Sequence, residues 1–212
     1  MKLSLRNKIL LFAVIPILAI FLCYVGIKDI NGGKNAIDIA DLTVEDIKKG
    51  TYVKGNIPYL LDSFAYEETT EKHAFSEKKE TTKYYYIMPL VNTDEVKYVA
   101  VCCDVDNVDN YNKLCEETIA YLTNASAPEP TTQIAFKGEI KELSDDERQL
   151  FREYFSDAEF SEKEIDDLTI EMLINEYDYS IGKFFLIIGG VVGGVWLIIM
   201  AITFIALKKH SA

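Results

Sequence analysis

Residues 184–207 read FFLIIGGVVGGVWLIIMAITFIAL, 24 positions without a charged side chain. As a helix rising 1.5 Å per residue this run is ~36 Å long, enough to cross a bilayer with some tilt. Working outward, residues 9–27 read ILLFAVIPILAIFLCYVGI, a second uncharged run of 19 residues. It spans ~28 Å, about one hydrocarbon core. The stretch between them, 28–183, holds all 34 acidic residues and 17 of the 22 basic ones, a net charge of −17. This division excludes a plain cytosolic globule, a fully disordered chain and a multi-pass transporter. It also excludes a nucleic-acid partner, because phosphate affinity needs a basic footprint.

The first run reads as an uncleaved anchor. It exceeds the usual signal-peptide core of roughly 7–15 apolar residues, and no small-residue cleavage site follows it. Lys2, Arg6 and Lys8 precede the first run, and Lys208 and Lys209 follow the second. The positive-inside rule then places both ends in the cytoplasm and 28–183 outside. The expected layout is a cytoplasmic 1–8, a span at 9–27, an extracytoplasmic domain at 28–183, a span at 184–207 and a cytoplasmic 208–212. Pro16 is expected to kink the first span, which lipid tolerates better than water does. Gly189, Gly190, Gly193 and Gly194 form two overlapping GxxxG patterns. Glycine lets helix backbones touch in lipid. Two readings stay open: a homodimer interface, or packing against the first span of the same chain.

Inside the domain, 31–35 (NGGKN) reads as a flexible linker and 41–47 as a short helix capped by Thr43. Residues 51–68 (TYVKGNIPYLLDSFAYEE) read as one long strand bent at Gly55 and Pro58. The charged stretch 69–80 reads as a mobile loop. Residues 81–91 (TTKYYYIMPLV) read as a strand, 92–95 as a turn, and 96–103 (VKYVAVCC) as a central strand covered on both faces. Asp106 is expected to cap a helix burying Val108, Tyr111, Cys115, Ile119 and Leu122. Residues 131–143 read as a strand. Ser144 and Ser161 each open a helix through a capping box, the first burying Leu150, Phe151, Tyr154 and Phe155. Residues 169–179 fit either period. Strand, strand, strand, helix, strand is the order of an OB-type barrel. The fold class expected is α+β: a β-rich, OB-like domain with added helices, flanked by two transmembrane helices.

With TYVKGNIPYLLDSFAYEE at 51–68 and YYYIMPL at 84–90 set between two spans, the chain resembles an uncharacterised family of two-pass membrane proteins from Gram-positive bacteria. That resemblance implies a cell-membrane setting with one extracytoplasmic α/β domain, and no activity.

Candidate chemistry is sparse. Asp104, Asp106 and Asp109 in DVDNVDN offer closely spaced oxygen ligands, a calcium candidate. The same residues equally serve a helix N-terminus, where acidic side chains oppose the helix dipole. Cys102 and Cys103 point to opposite faces of a strand, and Cys115 lies on the following helix. A disulfide from Cys115 to one of that pair and three small buried thiols are both open readings. Their spacing is wrong for zinc. The only histidines, His73 and His210, fall in the charged stretch and the tail, so no His-based catalytic pair is expected. Tyr84, Tyr85 and Tyr86, with Tyr52, Tyr59, Tyr66 and Tyr98, suit either a binding groove or core packing. No GxGxxG, GxxxxGK[ST], HExxH or GxSxG motif occurs, so no cofactor is expected.

The function expected is that of a non-enzymatic integral membrane protein displaying an acidic interaction domain to a protein partner or a second copy of itself. The alternatives are a membrane-tethered enzyme acting on envelope material through carboxylates, and an extracytoplasmic ligand or cation sensor.

Overall fold

A computed structural model describes residues 5–73, 76–93 and 95–210, with side chains from 12 to 69, 80 to 93 and 95 to 205. Lys2 of the basic flank and Asp94 of the expected turn lie outside the described residues. The chain divides into two units, Met1–Asn35 with Tyr179–Ala212, and Ala36–Asp178.

The first unit is a pair of long helices, α1 (Leu5–Lys34) and α5 (Gly182–His210). Two segments are long and apolar enough to cross a membrane: Phe12–Lys34 within α1, and Tyr179–Ile205, which joins the 3-10 turn Tyr179–Ile181 to α5. α1 runs through Pro16 and on to Lys34, so 31–35 is not the expected flexible linker: all but its last residue are helical. Glycine sets the distance between the two helices. A Cβ on Gly26 would lie 2.6 Å from the Gly182 carbonyl oxygen and 2.7 Å from the Leu186 nitrogen.

The second unit carries 33 of the 34 acidic residues and 14 of the 22 basic ones. Its seven strands are β1 (Ile37–Asp38), β2 (Tyr52–Asn56), β3 (Ser63–His73), β4 (Ser76–Leu90), β5 (Lys97–Asp104), β6 (Ala135–Glu142) and β7 (Thr169–Glu176). They form one open sheet in the order β1-β2-β6-β7-β5-β4-β3, parallel at β1/β2 and β5/β7 and antiparallel elsewhere. The OB-like barrel is therefore corrected. The ambiguous segment 169–179 supplies β7, which enters the middle of the sheet between β6 and β5 and buries Leu173 and Ile174. A sheet this wide with two free edges does not close, and its faces are covered instead.

Alternation along the central strands builds a core on each face. Tyr86, Met88 and Leu90 of β4 and Val99, Val101 and Cys103 of β5 join one cluster. Helix α2 (Val108–Thr123) covers it with Tyr111, Leu114 and Cys115. Tyr85, Ile87, Ala100 and Cys102 join the other cluster, covered by Phe151 and Phe155 of α3 (Asp145–Asp157) and Ile165 of α4 (Glu162–Leu168). α3 and α4 begin at the capping boxes of Ser144 and Ser161.

Several local expectations are corrected. Residues 41–47 form no α-helix but the second of two short 3-10 turns (Ile39–Asp41 and Val44–Asp46), tied by Thr43 and Asp46. The long bent strand is two strands, β2 and β3, which pair with different neighbours. Residues 69–80 are no loop: β3 and β4 pair through them up to His73 opposite Ser76. In that register Glu71 lies opposite Lys78 and Lys72 opposite Glu77. The apolar stripe of α2 turns at its end. Thr118 is buried, whereas Ile119 and Leu122 are exposed; Leu150 of α3 is exposed as well.

Candidate functional site

Three segments of the second unit converge on an apolar groove. The connection from β2 to β3 supplies Tyr59 and Leu61. The end of β4 and its turn into β5 supply Pro89, Leu90, Val91 and Val96, and the last turn of α2 supplies Tyr121 and Leu122. They enclose about 400 Å³, with Tyr98 also on the wall. The Tyr59 and Tyr121 rings lie 13° from parallel with centroids 6.2 Å apart. Val91 is 52 % exposed, Val96 54 % and Leu122 61 %, so the groove opens to solvent on apolar side chains. Burial first, and then the Glu129 charge, push the Tyr59 phenol up.

The groove is held in shape by one buried contact. Leu60, fully buried between Tyr59 and Leu61, donates its N–H to Thr118 Oγ1 at 3.3 Å, and Thr118 is itself fully buried. Nearby, Glu117 of α2 accepts from the Thr131 and Thr132 nitrogens at 2.7 and 2.8 Å and from the Thr132 hydroxyl at 2.9 Å. These bonds hold its carboxyl below the usual range and pin the loop ahead of β6 to the helix.

A second, polar cleft of about 560 Å³ lies at the other end of the strands, lined by Asp38, Lys54, Phe136, Lys137, Glu176 and Asp178 among others. Lys137 pairs with Asp178 at 3.3 Å. Glu176 Oε2 accepts the Asp104 backbone N–H at 2.9 Å and the Tyr111 hydroxyl at 3.5 Å. Burial pushes the Glu176 carboxyl up, and the charges of Asp104 and Asp106 add to this.

The residues singled out in the sequence are distributed as follows. Asp104 ends β5, Asp106 sits in the 3-10 turn after it, and Asp109 lies in the first turn of α2. Among the described residues, no three His, Cys, Asp or Glu side chains converge to hold a metal. Cys103 and Cys115 share one core cluster, while Cys102 belongs to the other; all are free thiols. Burial pushes Cys102 up to about 11 and Cys115 up to about 12, and lifts Cys103 well above its ordinary value. Cys103 shares a hydrogen bond with Tyr111. Tyr85 and Tyr86 are core residues, Tyr66 is exposed, and Tyr59 and Tyr98 line the groove. In α5, Gly189 faces α1, where an added Cβ would lie 2.7 Å from Cys23 Sγ, and Gly193 faces Ala19. Gly190 and Gly194 have nothing within 4 Å. The groove lining at Tyr121 and Leu122 is what sequence reasoning missed. The available signal was Leu122 following Tyr121 at a helix end, beyond the last turn that the core needs.

A family model described as a domain of unknown function, DUF8577, matches residues 1–207. The chain belongs to the DUF8577 family. The match takes in the stretch from α1 through the sheet unit and most of α5, so the family comprises both units. No curated protein and no solved structure matches the chain.

Proposed function

We propose that this DUF8577 protein is a two-pass membrane protein whose sheet domain stands on the extracytoplasmic side and works by binding a protein partner in the apolar groove. Two helices of sufficient length and apolar character support the membrane setting. Arg6 and Lys8 before the first apolar run, with Lys208 and Lys209 after the second, support cytoplasmic ends. The groove carries the reading. Tyr59, Leu61, Val91, Val96 and Leu122 make a continuous apolar surface on a unit that is otherwise strongly acidic. Exposed contiguous apolar surface is costly to keep and marks an interaction site.

The test places a photoreactive residue at Leu122 of the full chain in its native membranes, with the exposed Glu153 of α3 as the comparison position. The expected result is one discrete protein adduct from position 122 that position 153 does not give. Identical adducts from both positions, or adducts to lipid alone, would overturn the reading.

The polar cleft favours a second reading, a ligand-sensing domain in which Glu176 receives the ligand's amine. Ethanolamine is the probe. A ligand that binds only the folded state raises its melting temperature. A rise in the full chain that Glu176→Gln abolishes would support this reading, and no rise would end it.

A further inference from the structure

The groove's rim states what its partner must look like. Asp62 follows the lining residue Leu61 in the chain, Glu95 precedes the lining residue Val96, and both are exposed. The charge of Glu129 reaches the Tyr59 hydroxyl from the loop after α2. The basic residue beside the rim, Lys97, is held by the Asp167 carbonyl oxygen and lies 3.9 Å from Glu95. The mouth therefore combines apolar side chains, tyrosine rings and an excess of negative charge. Ring faces attract cations, arginine above all. We propose that the groove takes a segment of a partner protein that inserts apolar side chains and carries Lys or Arg beside them.

This rests on the interaction reading above and names the partner's chemistry. A second copy of the chain is a poor occupant, because two units each bearing 33 acidic against 14 basic residues repel one another. An anionic lipid surface is a poor occupant for the same reason. An apolar–basic segment fits on both counts. Its apolar side chains cover Val91, Val96 and Leu122, and its charge answers Asp62, Glu95 and Glu129.

The experiment again uses the full chain in its native membranes, with the photoreactive residue at Val96, and sequences the partner peptide it captures. Expected is a peptide with two or more apolar residues and at least one Lys or Arg within a helical turn of them. Glu129→Lys and Asp62→Lys, both at exposed positions, should together cut the adduct yield about tenfold, as should raising the salt past the point where surface charges are screened. Unchanged melting temperatures for the charge-reversed chain show that the fold survives. An apolar peptide with acidic neighbours would overturn this inference and leave the interaction reading standing. So would a yield indifferent to charge and salt. Capture of a second copy or of lipid would also overturn it. No protein adduct from either groove position would sink both.

Discussion

Thr118→Val removes the acceptor that the Leu60 N–H has among the described residues while nearly preserving the shape of the side chain. Leu60 and Thr118 are each fully buried and their bond is 3.3 Å long, so water cannot take the hydroxyl's place without opening the core. An orphaned buried donor costs about 1–3 kcal/mol. The extra buried methyl returns at most ~0.8 kcal/mol. The net loss is about 1–2 kcal/mol, or a fall of very roughly 3–8 °C in melting temperature for a unit of this size. The damage should also be local. Leu60 carries Tyr59 and Leu61 on either side, so amide exchange across 57–61 should speed up more than exchange in β5. The assay is thermal unfolding of the full chain in detergent, with hydrogen exchange read by peptide. A Thr118→Val chain as stable as the parent, or one with unchanged exchange at 57–61, would refute the claim that this bond positions the groove.

Four further outcomes follow from the same structure. Glu176 has its carboxyl raised above 4.5, so its neutral form is favoured in the folded state; the stability this contributes is complete below pH 4.5 and is lost as pH rises through the folded value. The parent should therefore lose ground to Glu176→Gln as pH is raised from 4.5, measured by urea unfolding across pH; a difference that moves the other way contradicts the burial argument. Gly189→Ala forces a Cβ onto Cys23 and the Ala19 carbonyl, whereas the Cβ of Gly190→Ala meets nothing within 4 Å, so the first should lower the melting temperature in detergent and the second leave it unchanged. Arg152→Met takes the guanidinium from Glu162, Asp166 and Glu171, 2.5, 2.8 and 2.8 Å away, of which Glu171 keeps Arg148 at 3.0 Å, and should cost about 1 kcal/mol, less at high salt, in denaturant titrations at two ionic strengths. Cys102, Cys103 and Cys115, buried and protonated, should resist maleimide at neutral pH until the chain is unfolded, as mass spectrometry of the labelled protein would show.

What could be read directly from residues was whatever a local rule determines. Uncharged runs decide the two long helices. Serine and glutamate three apart decide the starts of α3 and α4, because the capping bonds close within one turn. The apolar run in β5 decides a strand covered on both faces. What failed depended on partners far along the chain. Residues 169–179 fit either period, and only the vacancy between β5 and β6 makes them a strand. That insertion opens the sheet and removes the barrel. The charged 69–80 stretch reads as a loop because it lacks apolar alternation, and the backbone partners that make it strand, such as position 78 opposite 71, lie across a hairpin rather than along one strand. The groove was half visible. Tyr59 and Tyr98 belong to the tyrosine set that stands out in the sequence, but the spacing of Leu122 assigns it to the core. The buried stripe of α2 ends at Thr118, which leaves the last turn free to line the groove.

The central claim is that the sheet domain is displayed outside the cell while both ends stay inside. Its native cysteines suit a direct measurement, since Cys102, Cys103 and Cys115 are buried and Cys23 lies within the first apolar run. Tyr66 is 61 % exposed on β3, so Tyr66→Cys offers one accessible thiol. Treated in intact cells with a membrane-impermeant maleimide, Tyr66→Cys should label at once, and Ser211→Cys only after the membrane is opened. Labelling of Ser211→Cys in intact cells, with Tyr66→Cys protected until permeabilisation, would place the domain in the cytoplasm and contradict the account.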